Sequence, residues 1–141
     1  MENLYRLFSG AAAALAGWFA PITPLIACVF GFIAVDFLTG AAASRAIARR
    51  EGRAWWFESA EAWRTVQKLT LVTTGIVMAW AIDRHVLNFM ELHAARLFTG
   101  FACGVEFWSF LENAAQLSDA PLFRWLKRYV RRRIRKEAGH E

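Results

Sequence analysis

The sequence predicts an all-α integral membrane protein, and three observations predict it. Hydrophobic residues fill 57% of the 141 positions at a mean hydropathy of +0.27, too apolar for a soluble domain whose surface must be kept wet by charge. The apolar residues gather into runs able to cross ~30 Å of hydrocarbon. The basic residues lie between and after those runs. Three transmembrane helices, a further apolar segment at the N-terminus and a basic amphipathic helix at the C-terminus are expected. Residues 1–120 then form a membrane domain and 121–141 a cytoplasmic tail.

The first segment, 4–20, is apolar but built largely from Ala and Gly, so its insertion free energy is much weaker than that of a Leu-rich stretch. It either spans the bilayer or lies on it. Its Arg and Ala-rich stretch resemble a weak secretory signal, but Pro21 sits where a cleaved chain would begin, and cleavage is not expected. Pro21 and Pro24 interrupt the helix, and 22–44 follows as the first span, with Asp36 its only charge. Arg45, Arg49, Arg50 and Arg53 come next, then Trp55, Trp56, Phe57 and Trp63, ring types that collect at the membrane–water interface. That stretch reads as a surface loop or an interfacial helix.

The second span, 66–83, is short, with Lys68 and Asp83 expected to reach head groups from its two ends. The third, 95–117, carries Glu106, Ser109, Glu112, Asn113 and Gln116 along its C-terminal half. Pro121 ends or restarts the helix. Leu122, Leu126, Val130 and Ile134 then recur at helical spacing among Arg124, Lys127, Arg128, Arg131, Arg132, Arg133, Arg135 and Lys136, which is the pattern of a basic amphipathic helix.

Net charge of +5 and a pI near 9.9 suit nucleic acid or an acidic membrane surface. The apolar stripe of the tail has no purpose on a polyanion, so anionic lipid is the expected partner and nucleic acid is not. Arg124, Lys127, Arg128, Arg131, Arg132 and Arg135 are the expected lipid-surface anchor. Basic residues cluster in the 45–64 loop and the tail and are sparse between spans two and three, so both basic segments are expected to face the cytoplasm of a bacterial inner membrane, with the chain multi-pass. Cys28 and Cys103 fall within apolar runs and read as small hydrophobes, with no disulfide and no metal site expected. His85, His93 and His140 are far apart, and no nucleophile elbow, phosphate loop or Cys pair appears. No catalytic residue, cofactor or enzymatic activity is expected.

Two constellations are the candidate functional residues. Asp36 lies inside its span, where a carboxylate costs ~2.5–3.5 kcal/mol on insertion scales, and it shares a helix face with the small residues Thr39, Gly40 and Ala43. Asp36, Thr39 and Gly40 are therefore read as an intramembrane packing site, with Arg45 or Arg49 as the expected partner of the carboxylate and a proton or ion relay as the second reading. On the third span Glu106, Ser109, Glu112, Asn113 and Gln116 fall on one arc roughly 120° wide at ~100° per residue. Lipid cannot satisfy such an arc. It either lines water or meets other copies as a pore or oligomer face, or it packs inside one subunit.

The span end Val35-Asp36-Phe37-Leu38-Thr39-Gly40, a basic loop, a second span ending in Asp83, and Glu106-Phe-Trp-Ser-Phe-Leu-Glu112-Asn113 followed by Pro121 and a basic helix resemble the phage holins of the small toxin-secretion and lysis type. The resemblance covers about Leu25 to Val130. It departs from the family pattern after Asn113, where only Pro121 remains of a Gly and two prolines, and in the Trp55-Trp56-Phe57 loop. It implies a homo-oligomer that gathers in the cytoplasmic membrane and opens lesions through which a peptidoglycan hydrolase or toxin leaves. A non-lytic oligomeric scaffold or small channel, whose basic tail recruits a soluble partner, is the alternative.

Overall fold

The computed structural model describes residues 1–56, 58–87, 89–90, 92–118, 121–123, 125, 128–129 and 132. Four long helices account for most of them: α1, Glu2–Phe19; α2, Thr23–Arg50; α3, Ser59–His85; and α4, Ala94–Leu117. No strand occurs among the described residues.

The prolines interrupt the first helix less than a chain break would. Pro has no N–H to lose in the first turn of a helix, and here Pro21 opens a single 3₁₀ turn, Ala20–Ile22, while Pro24 sits in the first turn of α2. The Thr23 hydroxyl donates to the Phe19 carbonyl at 3.1 Å, and the Thr23 N–H donates to the Ala20 carbonyl. Two of the carbonyls exposed at the junction are thereby satisfied.

α2 runs on past the expected span to Arg50 because nothing in Ala41–Ala48 breaks a helix. It stops at Gly52, whose φ of 65° is the left-handed conformation that costs glycine nothing. There Gly52 N–H donates to Arg49 O at 3.3 Å and Arg53 N–H to Ala48 O at 2.9 Å, the paired bonds of a Schellman cap. Trp55 folds back beside α2, its Nε1 donating to Ser44 Oγ at 3.3 Å and its ring under the Arg45 guanidinium at 5.9 Å. α3 begins at Ser59, so Trp63 and Arg64 are helical, as the second of the two readings of this stretch has them.

α2 packs most extensively on α4, and α3 also leans on α4; the α2–α3 contact is smaller. The shared core is Ile22 from the 3₁₀ turn, Val29 and Ile33 from α2, Ile76 from α3, and Ala102 and Cys103 from α4. Small residues let the helices approach: a Cβ at Gly75 would overlap the Phe98 ring, and one at Gly40 would stand 3.4 Å from Asn113 Nδ2. The described side chains of α1 are exposed, and near its end Trp18 meets Trp80 edge-on at 5.9 Å and Arg84 covers both rings at 5.8 Å.

The outside of this bundle is its apolar side. Leu4, Phe8, Phe30, Leu38, Leu71, Met78, Phe101 and Val105 are all more than half exposed, an apolar surface far beyond the patches a soluble monomer shows. By length and composition Leu4–Arg50 and Ser59–His85 are apolar enough to cross a membrane. Lipid is the solvent that suits these faces.

Candidate functional site

The charged residues buried among those described are Asp36 and Glu106, on α2 and α4. Asp36 follows Val29 and Ile33 on the inward face of α2, and Glu106 follows Thr99, Ala102 and Cys103 on that of α4. Helical spacing thus carries each carboxylate into the interior along with the apolar residues that pack there.

Between them lies Lys68 of α3. Its Nζ is 2.8 Å from Glu106 Oε2 and 3.4 Å from Asp36 Oδ2. Asn113, two turns beyond Glu106, donates Nδ2 to Asp36 Oδ1 at 3.0 Å, with the Asp36 carbonyl at 3.4 Å. Three helices therefore meet at one charged cluster, and every polar atom buried there has a hydrogen-bond partner. In a medium without water this mutual satisfaction is what makes the charges tolerable. The cluster carries two negative charges against one positive.

The cluster is open on one flank. Lys68 and Asp36 line a cleft of about 480 Å³ together with Glu61, Arg64, Ser109 and Asn113. All of these lie toward the arginine-rich end of the bundle, where α2 and α4 finish and α3 begins. Glu61 and Arg64 make the mouth of the cleft polar.

Lys68, expected at the head groups, turns inward instead. The same side chain that is long enough to snorkel reaches the two buried carboxylates, which offer it a stronger partner than a screened surface. Lys68, and not Arg45 or Arg49, is accordingly the cation on Asp36; Arg45 stacks on Trp55. Asp83 also turns from head groups to protein: its two oxygens accept the Ala94 and Ala95 N–H groups at 2.8 and 2.9 Å, capping α4 from α3. Asp83 thus satisfies donors that every helix start leaves free.

The residues of the α4 arc separate. Glu106 and Asn113 face α2 and α3 within the chain, Ser109 lines the cleft, and Glu112 is half-buried. Gln116 is exposed beside a second cleft formed with Gly40, Ala43 and Trp55. Gly40 gives Asn113 its room, whereas the Thr39 hydroxyl donates back to the Val35 and Asp36 carbonyls of its own helix. Arg128 and Arg132 of the tail are exposed; Arg124, Lys127, Arg131 and Arg135 lie outside the described residues. Lys68 was discoverable from the sequence on one ground, that two acids within apolar spans require a cation from another span.

Helices with apolar outer faces around an internal ion-pair and hydrogen-bond cluster define an all-α integral membrane protein. The chain belongs to the bacteriophage holin family, which it matches over residues 13–132, a stretch that includes every residue of the cluster. Proteins of this family are membrane pore-formers and not enzymes. No curated protein and no solved structure matches the chain.

Proposed function

We propose that this holin-like protein oligomerises in the cytoplasmic membrane and opens lesions that release a peptidoglycan hydrolase or toxin. One observation carries the reading beyond family membership: Asp36, Lys68 and Glu106, from three different helices, satisfy one another inside an apolar bundle. While the helices stay together these groups have partners within the chain and the outer face is lipid-compatible. When they part, lipid cannot solvate what is uncovered, but water in a lesion lined by many copies can. Ser109, Glu112, Asn113 and Gln116 would then join Glu106 on the wet face, and Asp36, Thr39 and Gly40 would line the seam that opens.

The arginines at the end of α2 and in the tail favour an orientation with that end of the bundle, and the C-terminus, in the cytoplasm. There Arg128, Arg132 and the neighbouring basic residues anchor the tail on anionic lipid at about 1 kcal/mol per side chain before screening. The mouth of the cleft beside Lys68 then opens toward the cytoplasm.

The test is induced expression in a bacterium with and without a cytoplasmic, signal-less peptidoglycan hydrolase, following turbidity and membrane potential. Abrupt, delayed lysis that requires the hydrolase and follows loss of potential is expected. Steady growth with intact potential at high membrane levels would overturn the lesion reading in favour of a non-lytic scaffold.

A further inference from the structure

Cys28 and Cys103 are the two cysteines of the chain, and they meet. They are 75 residues apart in sequence, on α2 and α4, with Sγ atoms 3.8 Å apart and both thiols free. Cys103 is buried in the core. Cys28 is exposed and lines an apolar groove of about 520 Å³ with Gly31, Phe32, Phe107 and Phe110.

We propose that this pair is an oxidation site, a dithiol that closes to a disulfide tying α2 to α4. A disulfide needs sulfurs ~2.05 Å apart, so about 1.8 Å remains to be closed, within reach of χ1 rotation and a slight approach of the helices. Two S–H bonds break and one S–S bond forms. The two electrons and two protons pass to a lipid-soluble two-electron acceptor of the quinone class, which leaves as the quinol. The groove brings such an acceptor to Cys28 through the hydrocarbon, and Cys103 stands behind it as the resolving thiol.

Location favours the reaction. Cys28 lies in the second turn of α2, away from Arg45, Arg49 and Arg50, and Cys103 lies just before the middle of α4, so the pair is in the outer half of the bilayer in the proposed orientation, on the side where disulfides persist. The bond would join the two helices that pack most extensively. Resting on the lesion reading above, oxidation is a latch: it holds closed the seam that opening must part, and reduction releases it.

Full-length protein reconstituted in vesicles of phosphatidylethanolamine and phosphatidylglycerol with trapped dye is treated with diamide, a two-electron thiol oxidant, or with dithiothreitol. It is then denatured and labelled with maleimide-polyethylene glycol. We expect two adducts after reduction and none after oxidation, at monomer size on a non-reducing gel, with Cys28→Ser and Cys103→Ser each keeping one adduct throughout. Two adducts after diamide, or bridging only between copies, would overturn the site. Dye release should lag several-fold longer in the oxidised wild type than in the reduced one, with both Ser variants indifferent to diamide. Bridging without a longer lag would overturn the latch. Absence of release from the reduced protein would overturn the lesion reading instead, while the adduct count still decides whether the disulfide forms.

Discussion

Replacing Lys68 by Met removes the cation between Asp36 and Glu106 and leaves two carboxylates facing each other. Their side chains are 12% and 6% exposed, and that of Lys68 is 40% exposed. Both oxygens lie within ion-pair reach of one nitrogen, so they are about 6 Å apart or less, and at an effective dielectric of ~20 two like charges at that spacing repel by about 3 kcal/mol. Removing one partner of a fully buried pair costs ~3–5 kcal/mol. Water at the exposed flank of Lys68 screens the site, which lowers the expected loss to about 2–3 kcal/mol. Helical circular dichroism in mixed micelles under titrated SDS measures it. A cycle with Glu106→Gln should show a coupling of roughly 1–2 kcal/mol, because the second substitution removes the charge that the first left unpaired. Additivity within ~0.5 kcal/mol would refute the reasoning, since the two side chains would then be energetically independent. On the lesion reading proposed above, the same substitution should bring loss of membrane potential forward in cells: ~2–3 kcal/mol off the closed state moves a closed–open equilibrium by on the order of 10².

Asp83→Ala removes the acceptor of two N–H groups at the start of α4 and should cost about 1–2 kcal/mol, with faster hydrogen exchange at Ala94 and Ala95; unchanged exchange there would dismiss the cap. Gly40→Val places methyl groups against the Asn113 amide and should push it off Asp36 at a cost of ~1–3 kcal/mol, whereas Gly40→Ala, at ordinary contact distance, should be nearly silent. Equal losses in SDS unfolding would mean that the close approach is not what Gly40 provides. Trp18→Ala takes away the ring shared with Trp80 and Arg84 and should loosen α1 by roughly 0.5–1.5 kcal/mol, read as faster hydrogen exchange along α1 with α2–α4 unaltered.

Much of the site was legible because membranes make strict demands on composition. A run such as 22–44 is readable as a span from its length, and an acid within it, Asp36, is readable as a residue that needs a partner. The grouping of Glu106 and Asn113 on one side of α4 follows from helical period alone. Which residue answers Asp36 is a different kind of question. Arg45 and Arg49 are near it in sequence, but they leave the helix on the wrong flank, and Lys68 arrives from another helix. The helix ends show the same division. Gly52 closes α2 through local chain geometry, while α4 is capped by Asp83, a residue of the preceding helix that only folding brings near.

By itself, the sequence determined the class of protein, the family resemblance and the set of polar residues that lipid cannot satisfy, because hydropathy, helical period and charge counts are properties of the chain. Only the tertiary structure decided how those residues are paired: Lys68 between two acids, Asn113 on Asp36, Asp83 on α4, Cys28 against Cys103. The physical reason is that helix register is set by close packing. Gly40 under Asn113 and Gly75 under Phe98 fix how far each helix slides and turns on the next, and a turn of one residue, about 100°, would bring different side chains together.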